Sequence, residues 1–353
     1  MRSNANKNII YSIVLLLMVA IVYLYRQNQK QNIQEIPQEI LNKVVLSGQT
    51  MGTTYRIVYL DAQNRNFQNS VDSLLLVFNQ SLSTYIPDSE LSRFNLSDSL
   101  RYELPYLFPV LKSSKEIYEL TEGAFDPTVG PLVNLWGFGP EGPQLKDSVN
   151  IGNLLSLVDF SAIVFDSLQV KKMKPNMYLD FSAIAKGFGV DVVAEFLRGK
   201  GIENSLVEIG GELVANGTNE NGELWRVGVN KPDEISLPDE LYSIIALGNK
   251  AMATSGNYRN YYEADGKKIS HTIDPATGRP VRHGLLSATV VADNCMKADA
   301  LATAMMVMGT EKSIELQKKN PHFQIFLIYN DENGQLKSFA SEGIIPFLSF
   351  IQE

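Results

Sequence analysis

The sequence predicts an α+β protein, in which antiparallel strands and several helices form a mixed α/β body behind one N-terminal transmembrane segment. Strand-like runs are broken by only a few helical patterns, without the regular strand–helix alternation of a Rossmann sheet. No internal repeat is present. An uncharged apolar stretch near the N-terminus predicts the membrane segment.

The N-terminal segment is expected to be an uncleaved signal anchor over residues 1–26. Residues 9–25 contain no charge and are flanked by Lys and Arg, and at 1.5 Å rise per residue these 17 residues just span the hydrocarbon core of a bilayer. No small-residue cleavage site follows, and the single cysteine, Cys295, lies too far along the chain to carry a lipid anchor. Positive charges on both sides favour neither orientation strongly; we expect the N-terminus inside and the body outside.

The polar residues 27–42 are rich in Gln and Asn and predict a tether, so the folded domain is expected over residues 43–353. Its roughly 310 residues suffice for one large core or two closely joined lobes. The single cysteine excludes an intrachain disulfide and a Cys/His zinc cluster. The net charge of −8 argues against nucleic-acid binding.

The domain begins with a predicted β pair, VVLSG and TTYRIVYL, followed by a helix whose apolar residues recur at helical spacing over residues 71–82. A second helix is predicted over residues 105–121, ending before Gly123 in a left-handed cap. A third is predicted from Ser182, as N-cap, to Lys200. Further strands are predicted at AIVFD, QVKK, SLVEI, WRVGV, YSIIAL, LSATVVA and QIFLIY.

The segment ISHTIDPATGRP places one of only three histidines beside a sharp turn. A predicted hairpin around Asp265-Gly266 delivers His271 to a strand end. Asp274 then begins a turn in which Gly278 can adopt positive φ. The loop therefore offers an imidazole and a carboxylate for catalysis, although a turn-forming Asp and a satisfied strand-end His explain the same pattern.

The segment LDFSAIAKGFGVD predicts a phosphate site at a helix start. Free N–H groups and Lys186 in the first turns suit phosphate oxygens, and Asp180 can accept hydrogen bonds from a ligand ring or hydroxyls. A capped helix that happens to contain a lysine is the alternative. Gly187 and Gly189 favour the site, because two glycines within a helix cost about 1 kcal/mol each and indicate a close approach.

The helical segment MKADALATAMMVM places Asp299 and Thr303 four residues apart, on one face. A carboxylate and a hydroxyl are hard oxygen ligands, which suit Mg²⁺ held together with substrate phosphates. The alternative is an Asp that favours a helix N-terminus and a Thr that bonds to a backbone carbonyl. The diglycine Gly210-Gly211 also indicates close backbone approach to something flat, and Tyr85 and Phe125 could sandwich an aromatic ring.

Taken in order, eight segments resemble the ApbE family of FAD:protein FMN transferases, from about Thr50 to Gly309. They are TMGTTY, STYxxxSExSxxN, GAFDPTxGPLxxxWGFG, DFSAIAKGFGVD, EIGGE, ATSGNYRNY, HTIDPxTGxP and ADALATA. The resemblance implies an ApbE-like fold. It also implies a metal held by Asp299, Thr303 and the carbonyl of Ala183, and an FAD substrate held by Met51, Tyr85, Ala124, Phe125, Asp126, Asp180, Lys186 and Ile273.

The family's reaction, by resemblance, is Mg²⁺-dependent transfer of FMN from FAD to a threonine hydroxyl of an acceptor protein, with release of AMP. His271 and Asp274 would stand beside the pyrophosphate, and either could remove the threonine proton. The implied partner is an acceptor flavoprotein with a threonine in a flavinylation motif, such as a subunit of a membrane redox complex. An FAD pyrophosphatase that yields FMN and AMP, or a non-catalytic FAD-binding protein, are the alternatives.

The resemblance also bears on location. Many members of this family are lipoproteins, and here a transmembrane anchor takes the place of the lipid. We therefore expect a single-pass protein of the bacterial inner membrane, with its catalytic body on the periplasmic side.

Overall fold

The computed structural model describes residues 3–31, 41–139, 151–232, 240–257, 261–264 and 267–351. The chain separates into two units, Met1–Leu41 and Asn42–Glu353. The first contains helix α1 (Ser3–Gln31). Within it, Ile10–Gln27 has a mean hydropathy of 1.8 and is long and apolar enough to cross a membrane, a property that it shares with signal sequences. Of the expected tether, residues 32–40 lie outside the described residues.

An eight-stranded antiparallel sheet forms the centre of the second unit. Its strand order is β1-β2-β6-β7-β10-β15-β16-β17, so strands far apart in sequence become neighbours. The strands are β1 (Asn42–Thr50), β2 (Thr53–Asp61), β6 (Ser205–Ile209), β7 (Glu212–Asn216), β10 (Lys250–Gly256), β15 (Leu285–Ala292), β16 (Gln324–Asn330) and β17 (Leu336–Ala340).

Small sheets surround the central one. A three-stranded sheet has the order β18-β9-β8, another has the order β3-β5-β4, and two pairs, β11-β12 and β13-β14, complete the set among the described residues. The strands are β3 (Ser99–Arg101), β4 (Ile163–Phe165), β5 (Gln169–Lys172), β8 (Trp225–Asn230), β9 (Leu241–Leu247), β11 (Tyr261–Ala264), β12 (Lys267–Ser270), β13 (Ile273–Asp274), β14 (Arg279–Pro280) and β18 (Leu348–Phe350).

The longer helices of this unit pack on one face of the central sheet, and the β18-β9-β8 sheet packs on the other. Alternation along β2 shows the two layers, because Ile57 joins a core with α2 and α7 whereas Val58 joins a core with β8 and β9. The helices are α2 (Gln68–Leu82), α3 (Glu90–Asn95), α4 (Leu107–Leu120), α5 (Gly130–Leu135), α6 (Ile151–Leu155), α7 (Ala185–Gly199), α8 (Cys295–Met308) and α9 (Thr310–Lys319), with 3₁₀ turns at Phe160–Ala162 and Ile345–Phe347.

The structure confirms the predicted α+β class and the strands and helices expected from the sequence. One local prediction is wrong: Ser182 does not cap α7, which begins at Ala185 after Ile184 without a side-chain cap. The reason is that the backbone N–H and the hydroxyl of Ser182 both donate to Asp180, so Ser182 belongs to a preceding turn. The predicted hairpin has its two strands, β11 and β12, and its turn at Asp265-Gly266 lies outside the described residues.

Candidate active site

A cavity of about 710 Å³ opens beside the first turn of α7 and one face of α8. Its other walls include the segment of residues 124–138, the β6–β7 turn, strands β8 and β10 and the segment after β12. Most of the site residues expected from the sequence line this one cavity: Ala124, Phe125, Asp126, Asp180, Ala183, Lys186, His271, Ile273, Asp299 and Thr303.

Three of the expected site residues lie outside the lining. Met51 sits in the β1–β2 turn with φ of 50° and packs against the cores beside α7. Tyr85 is 66% exposed. Partial burial of its phenol and, to a smaller extent, the charge of Asp180 raise the pKa of Tyr85. The third, Asp274, forms hydrogen bonds within the turn that it begins.

The carboxylate of Asp274 is used locally. It accepts hydrogen bonds from the N–H of Ala276 at 2.9 Å and from the hydroxyl of Thr277 at 3.0 Å. The Asp274 carbonyl accepts from the N–H of Gly278 at 2.8 Å, and Gly278 has φ of 69°. The Asp274 carboxylate therefore stabilises the turn, and its expected catalytic role stays a prediction.

His271 follows directly after β12 and lines the cavity. Its imidazole makes an edge contact with the ring of Phe138, at 6.2 Å between centroids. The next residue, Thr272, is buried and donates its hydroxyl to Asn257 at 2.8 Å, which holds the backbone beside the imidazole. His271 is therefore the one of the two expected catalytic side chains that stands in the cavity wall.

Phe125 and Asp126 form part of another wall, and both are buried. The Asp126 carboxylate accepts from the N–H and hydroxyl of Thr128, at 2.7 and 2.5 Å, and from the N–H of Phe160 at 3.3 Å. Burial raises the pKa of Asp126 despite these bonds. The carboxylate thus fixes the loop, which leaves the Phe125 ring and the backbone as the surfaces that can meet a ligand.

Helix α8 presents Asp299 and Thr303 to the cavity one turn apart. Asp299 is only 2% exposed and its Oδ2 accepts from the N–H of Gly187 at 3.0 Å. The Thr303 hydroxyl lies 3.2 Å from that of Ser255. Both predicted hard oxygen ligands therefore lie on one cavity wall, each held by one neighbour.

Lys186 lies between two buried carboxylates. Its Nζ donates to Oε1 of Glu212 at 2.8 Å and lies 4.0 Å from Oδ1 of Asp299. Burial opposes the Lys186 charge, but the charges of Asp299 and Glu212 outweigh it and raise the pKa of Lys186. Burial also raises the pKa of both carboxyls, against the lowering effect of Lys186. The lysine therefore remains a cation that can meet phosphate oxygens entering the cavity.

The donor set at the α7–α8 contact fits a magnesium ion. In a continuous helix the Gly187 N–H would donate to the Ala183 carbonyl, but here it donates to Asp299, and no other described backbone N–H bonds that carbonyl. Ala183, Asp299 and Thr303 thus offer a carbonyl, a carboxylate and a hydroxyl, the hard oxygens that Mg²⁺ prefers. Among the described residues no group of three or more His, Cys, Asp or Glu side chains could hold a metal alone, so a magnesium ion here would need water or substrate phosphates as further ligands.

Several cavity residues were not expected from the sequence, among them Glu212 and Ser255. Glu212 follows the diglycine turn Gly210-Gly211, where φ is 61° and 100°, and Ser255 lies near the end of β10. The motif EIGGE contains the signal for Glu212, an acidic residue directly after a tight turn, but its partner Lys186 is 26 residues away in sequence. The Oε2 atom of Glu212 is buried without a hydrogen-bond partner among the described residues.

The arrangement suits chemistry on a phosphate ester. One wall offers a lysine cation and hard oxygen ligands for a divalent cation, which together can neutralise a pyrophosphate. The segment after β12 offers the His271 imidazole, which can accept a proton. A buried aromatic ring and apolar residues such as Ile273 line the remainder, as expected for a ligand with a flat ring system.

Comparison with known proteins agrees with this chemistry. The model of the ApbE family matches residues 51–327. The FAD:protein FMN transferase of Vibrio cholerae serotype O1 is 44% identical over 322 residues, which cover 87% of this chain and 93% of that protein. The FAD:protein FMN transferase of Escherichia coli strain K12 is 36% identical over 318 residues, which cover 86% and 89% respectively.

Solved structures give the same result. The flavin transferase ApbE from Vibrio cholerae matches with a TM-score of 0.77 at 40% identity, covering 87% of this chain and 99% of that one. The apo form of the flavinyl transferase ApbE from Pseudomonas stutzeri matches with a TM-score of 0.77 at 31% identity, covering 87% and 97%. These similarities confirm the resemblance seen in the sequence motifs: the chain belongs to the ApbE family.

Proposed function

We propose that this protein is an FAD:protein FMN transferase that moves FMN from FAD to a threonine hydroxyl of an acceptor protein and releases AMP. The observation that carries the proposal is the convergence of Lys186, Asp299, Thr303 and His271 on one cavity. The names of the relatives support flavin transfer in general. The threonine acceptor, the release of AMP and the magnesium requirement are the finer parts of the proposal.

FAD would enter with its pyrophosphate against the N-terminal end of α7. Lys186 contributes a positive charge there, and its side chain remains 29% exposed toward the cavity. The flavin ring would lie toward Phe125 and Ile273, with Ala124, Asp126 and Asp180 along the same walls. Met51 and Tyr85 lie outside the described lining and would meet FAD only at the rim.

The transfer forms one bond and breaks one. The acceptor threonine oxygen attacks the phosphorus attached to riboflavin, and the bond from that phosphorus to the bridging oxygen breaks, so that AMP leaves with the oxygen. The threonine proton passes to the His271 imidazole as the new bond forms. Asp274 fixes the turn that follows His271.

A magnesium ion bound by Asp299, Thr303 and the Ala183 carbonyl would neutralise charge on the pyrophosphate oxygens. Lys186 forms an ion pair with Asp299 at this site, since its Nζ lies 4.0 Å from Oδ1. A pyrophosphate held from α7 and α8 would lie in the same cavity as His271, and in-line displacement requires the threonine to approach the phosphorus from the side opposite the leaving AMP.

The location forms part of the proposal. Residues 1–26 would anchor the protein in the bacterial inner membrane and residues 27–42 would tether the domain of residues 43–353 on the periplasmic side. The apolar helix at Ile10–Gln27 supports this arrangement. A subunit of a membrane redox complex with a threonine in a flavinylation motif is the acceptor class that fits such a position.

The test uses the full-length protein in detergent with FAD, Mg²⁺ and a subunit of this acceptor class. We expect a fluorescent acceptor band after denaturing electrophoresis, one AMP per flavin attached, and no band when the acceptor threonine is replaced by valine. Release of FMN and AMP without a labelled acceptor would identify an FAD pyrophosphatase instead. FAD binding without AMP release would identify a carrier.

A further inference from the structure

Asp191, on α7, binds the start of α8 across the helix–helix contact. Its Oδ1 accepts from the backbone N–H of Cys295 and its Oδ2 from that of Met296, each at 2.8 Å. Cys295 and Met296 are the first two residues of α8. Both carboxylate oxygens of Asp191 on α7 thus accept hydrogen bonds from the backbone of α8, more than 100 residues away in sequence.

This contact is distinct from the local cap of α8. The Asn294 side chain accepts from the N–H of Lys297 at 2.9 Å, so the third free N–H of the helix is satisfied from its own loop. The first two depend on Asp191. Charge-assisted bonds of this kind are stronger than neutral ones and place the helix start accurately relative to the carboxylate.

A second contact lies one turn away on both helices. The Gly187 N–H donates to Oδ2 of Asp299, and a Cβ on Gly187 would overlap the carbonyl of Cys295 and come 2.8 Å from Cβ of Asp299. The backbones of α7 and α8 are therefore in direct contact beside Asp299, one of the proposed metal ligands. The two hydrogen bonds of Asp191 lie at the same helix–helix contact, one turn from Gly187 and Asp299.

The metal site proposed above takes its oxygens from both helices. The Ala183 carbonyl precedes α7, whereas Asp299 and Thr303 belong to α8. A small shift of α8 along α7 would separate the carbonyl from the other two oxygens, and Mg²⁺ demands near-ideal geometry at about 2.0–2.1 Å. A residue that fixes the two helices in register should therefore control metal affinity without touching the metal.

We infer that Asp191 is a positioning residue of the metal site: it fixes the register of α8 against α7 and so sets the affinity for a divalent cation. This inference rests on the proposed function, because it presupposes the oxygen site of Ala183, Asp299 and Thr303. Asp191 is not among the residues that line the cavity. Removing partners that orient metal ligands typically lowers metal affinity about 10–100-fold.

The test measures binding of Mn²⁺, which accepts the same hard oxygens, to the full-length protein in detergent, by loss of the free Mn²⁺ signal in electron paramagnetic resonance. We expect Asp191→Asn to weaken Mn²⁺ binding by about 10-fold or more, because the amide nitrogen that replaces one carboxylate oxygen is a donor and cannot accept from the backbone N–H that it would face. Turnover should fall at low Mg²⁺ and recover at high Mg²⁺. That recovery separates a register defect from loss of folded protein.

Two matched variants control for general destabilisation. Asn294→Ala removes the local cap of the same helix, and Asp61→Asn removes a buried carboxylate that accepts from Arg65 on another part of the sheet. Both should retain the Mn²⁺ affinity of the unmodified protein. Should Asp191→Asn fail to fold, Asp191→Glu serves, because its longer side chain holds both N–H groups only with a shifted α8 and should also weaken Mn²⁺ binding.

The outcomes separate this inference from the proposed function. Normal Mn²⁺ affinity in the folded Asp191 variants would overturn the positioning role and leave the transferase proposal intact. An equal loss of affinity in Asn294→Ala would overturn it too, because stability of α8 alone would then explain the effect. If the unmodified protein bound no Mn²⁺, the metal site would be wrong and the inference would fall with it.

Discussion

Lys186 and Glu212 form a mostly buried ion pair at the cavity wall, with Nζ 2.8 Å from Oε1. The pair joins the start of a helix to the start of a strand, because Lys186 lies in the first turn of α7 and Glu212 is the first residue of β7. The side chain of Glu212 is 5% exposed and its other oxygen has no described hydrogen-bond partner. Lys186 therefore compensates most of the cost of burying the Glu212 charge. A second carboxylate, Asp299, lies 4.0 Å from the same Nζ.

Replacing Lys186 with Met should therefore destabilise the protein strongly. Removing one partner of a buried pair leaves an uncompensated charge, and we expect a loss of about 3 kcal/mol. Added Mg²⁺ should restore part of the loss, since it supplies Asp299 with another cation. Thermal unfolding in chelator and in Mg²⁺ measures both effects. The control is Lys115→Met, whose exposed pair with Glu119 at 3.9 Å should contribute at most about 1 kcal/mol.

Asp299→Ala should abolish turnover at ordinary Mg²⁺ concentrations while FAD binding is largely retained. The proposed metal oxygen is lost, whereas most of the surfaces expected to contact FAD lie on other segments of the cavity. Flavin fluorescence quenching measures FAD binding, and AMP release measures turnover. Asp293→Ala is the matched control, because its side chain is 76% exposed and pairs with Lys250 at the surface. Unchanged turnover in Asp299→Ala would remove the metal site from the proposal.

Asp61 predicts an acid-dependent loss of stability. Hydrogen bonds from the Arg65 side chain lower the pKa of Asp61 to about 2, from an ordinary value of 3.8. Because the folded-state pKa is the lower one, the contribution is complete above about pH 4 and is lost as the pH falls toward 2. Asp61→Asn should flatten this part of the stability profile. Urea unfolding between pH 5 and pH 2.5 measures it, with the exposed Asp88→Asn as control; parallel profiles for all three proteins would contradict the prediction.

The N-terminal helix predicts that the protein is attached to a membrane. If residues 1–26 form an uncleaved anchor, the full-length protein should remain with membranes after high-salt and carbonate washing. The chain of residues 43–353 should be soluble under the same conditions. Sequencing of the N-terminus tests the alternative directly, because a product that begins after the apolar segment would identify a cleaved signal.

Local sequence patterns predicted most of the elements but could not predict how they pair. The apolar spacing of residues 71–82 depends only on the chain itself, and α2 matches it. The pairing of β2 with β6, by contrast, joins Tyr55 to Ile209, and no local pattern encodes such a distant partner. For Ser182 the local pattern itself gave the wrong answer. Ser is a favourable capping residue, but Ser182 bonds the nearby carboxylate of Asp180 and does not cap α7.

The same limit applies to the cavity. Asp299 and Thr303 could be paired from their spacing on one helix, but Lys186 and Glu212 meet only after α7 and β7 have packed on the sheet. The motif resemblance, rather than any pattern within a segment, supplied the expectation that the distant segments share a site. Asp191 is the last residue of the segment LDFSAIAKGFGVD, but its role was not expected, because the backbone N–H groups that it binds lie more than 100 residues away in sequence.

The last prediction separates the two residues of the His271 loop. If the imidazole removes the threonine proton, His271→Asn should slow transfer by about 10²–10⁴-fold, the usual range for general acid–base catalysis, with little change in FAD affinity. Asp274→Asn should have the smaller effect, because its carboxylate bonds Ala276 and Thr277 within the turn and lies outside the cavity lining. Single-turnover labelling of the acceptor measures both rates. A larger loss in the Asp274 variant, together with weaker FAD binding in the His271 variant, would reverse the assignment: Asp274 would be the base and His271 a phosphate contact. Parental rates in both would reduce the segment to an ordinary turn.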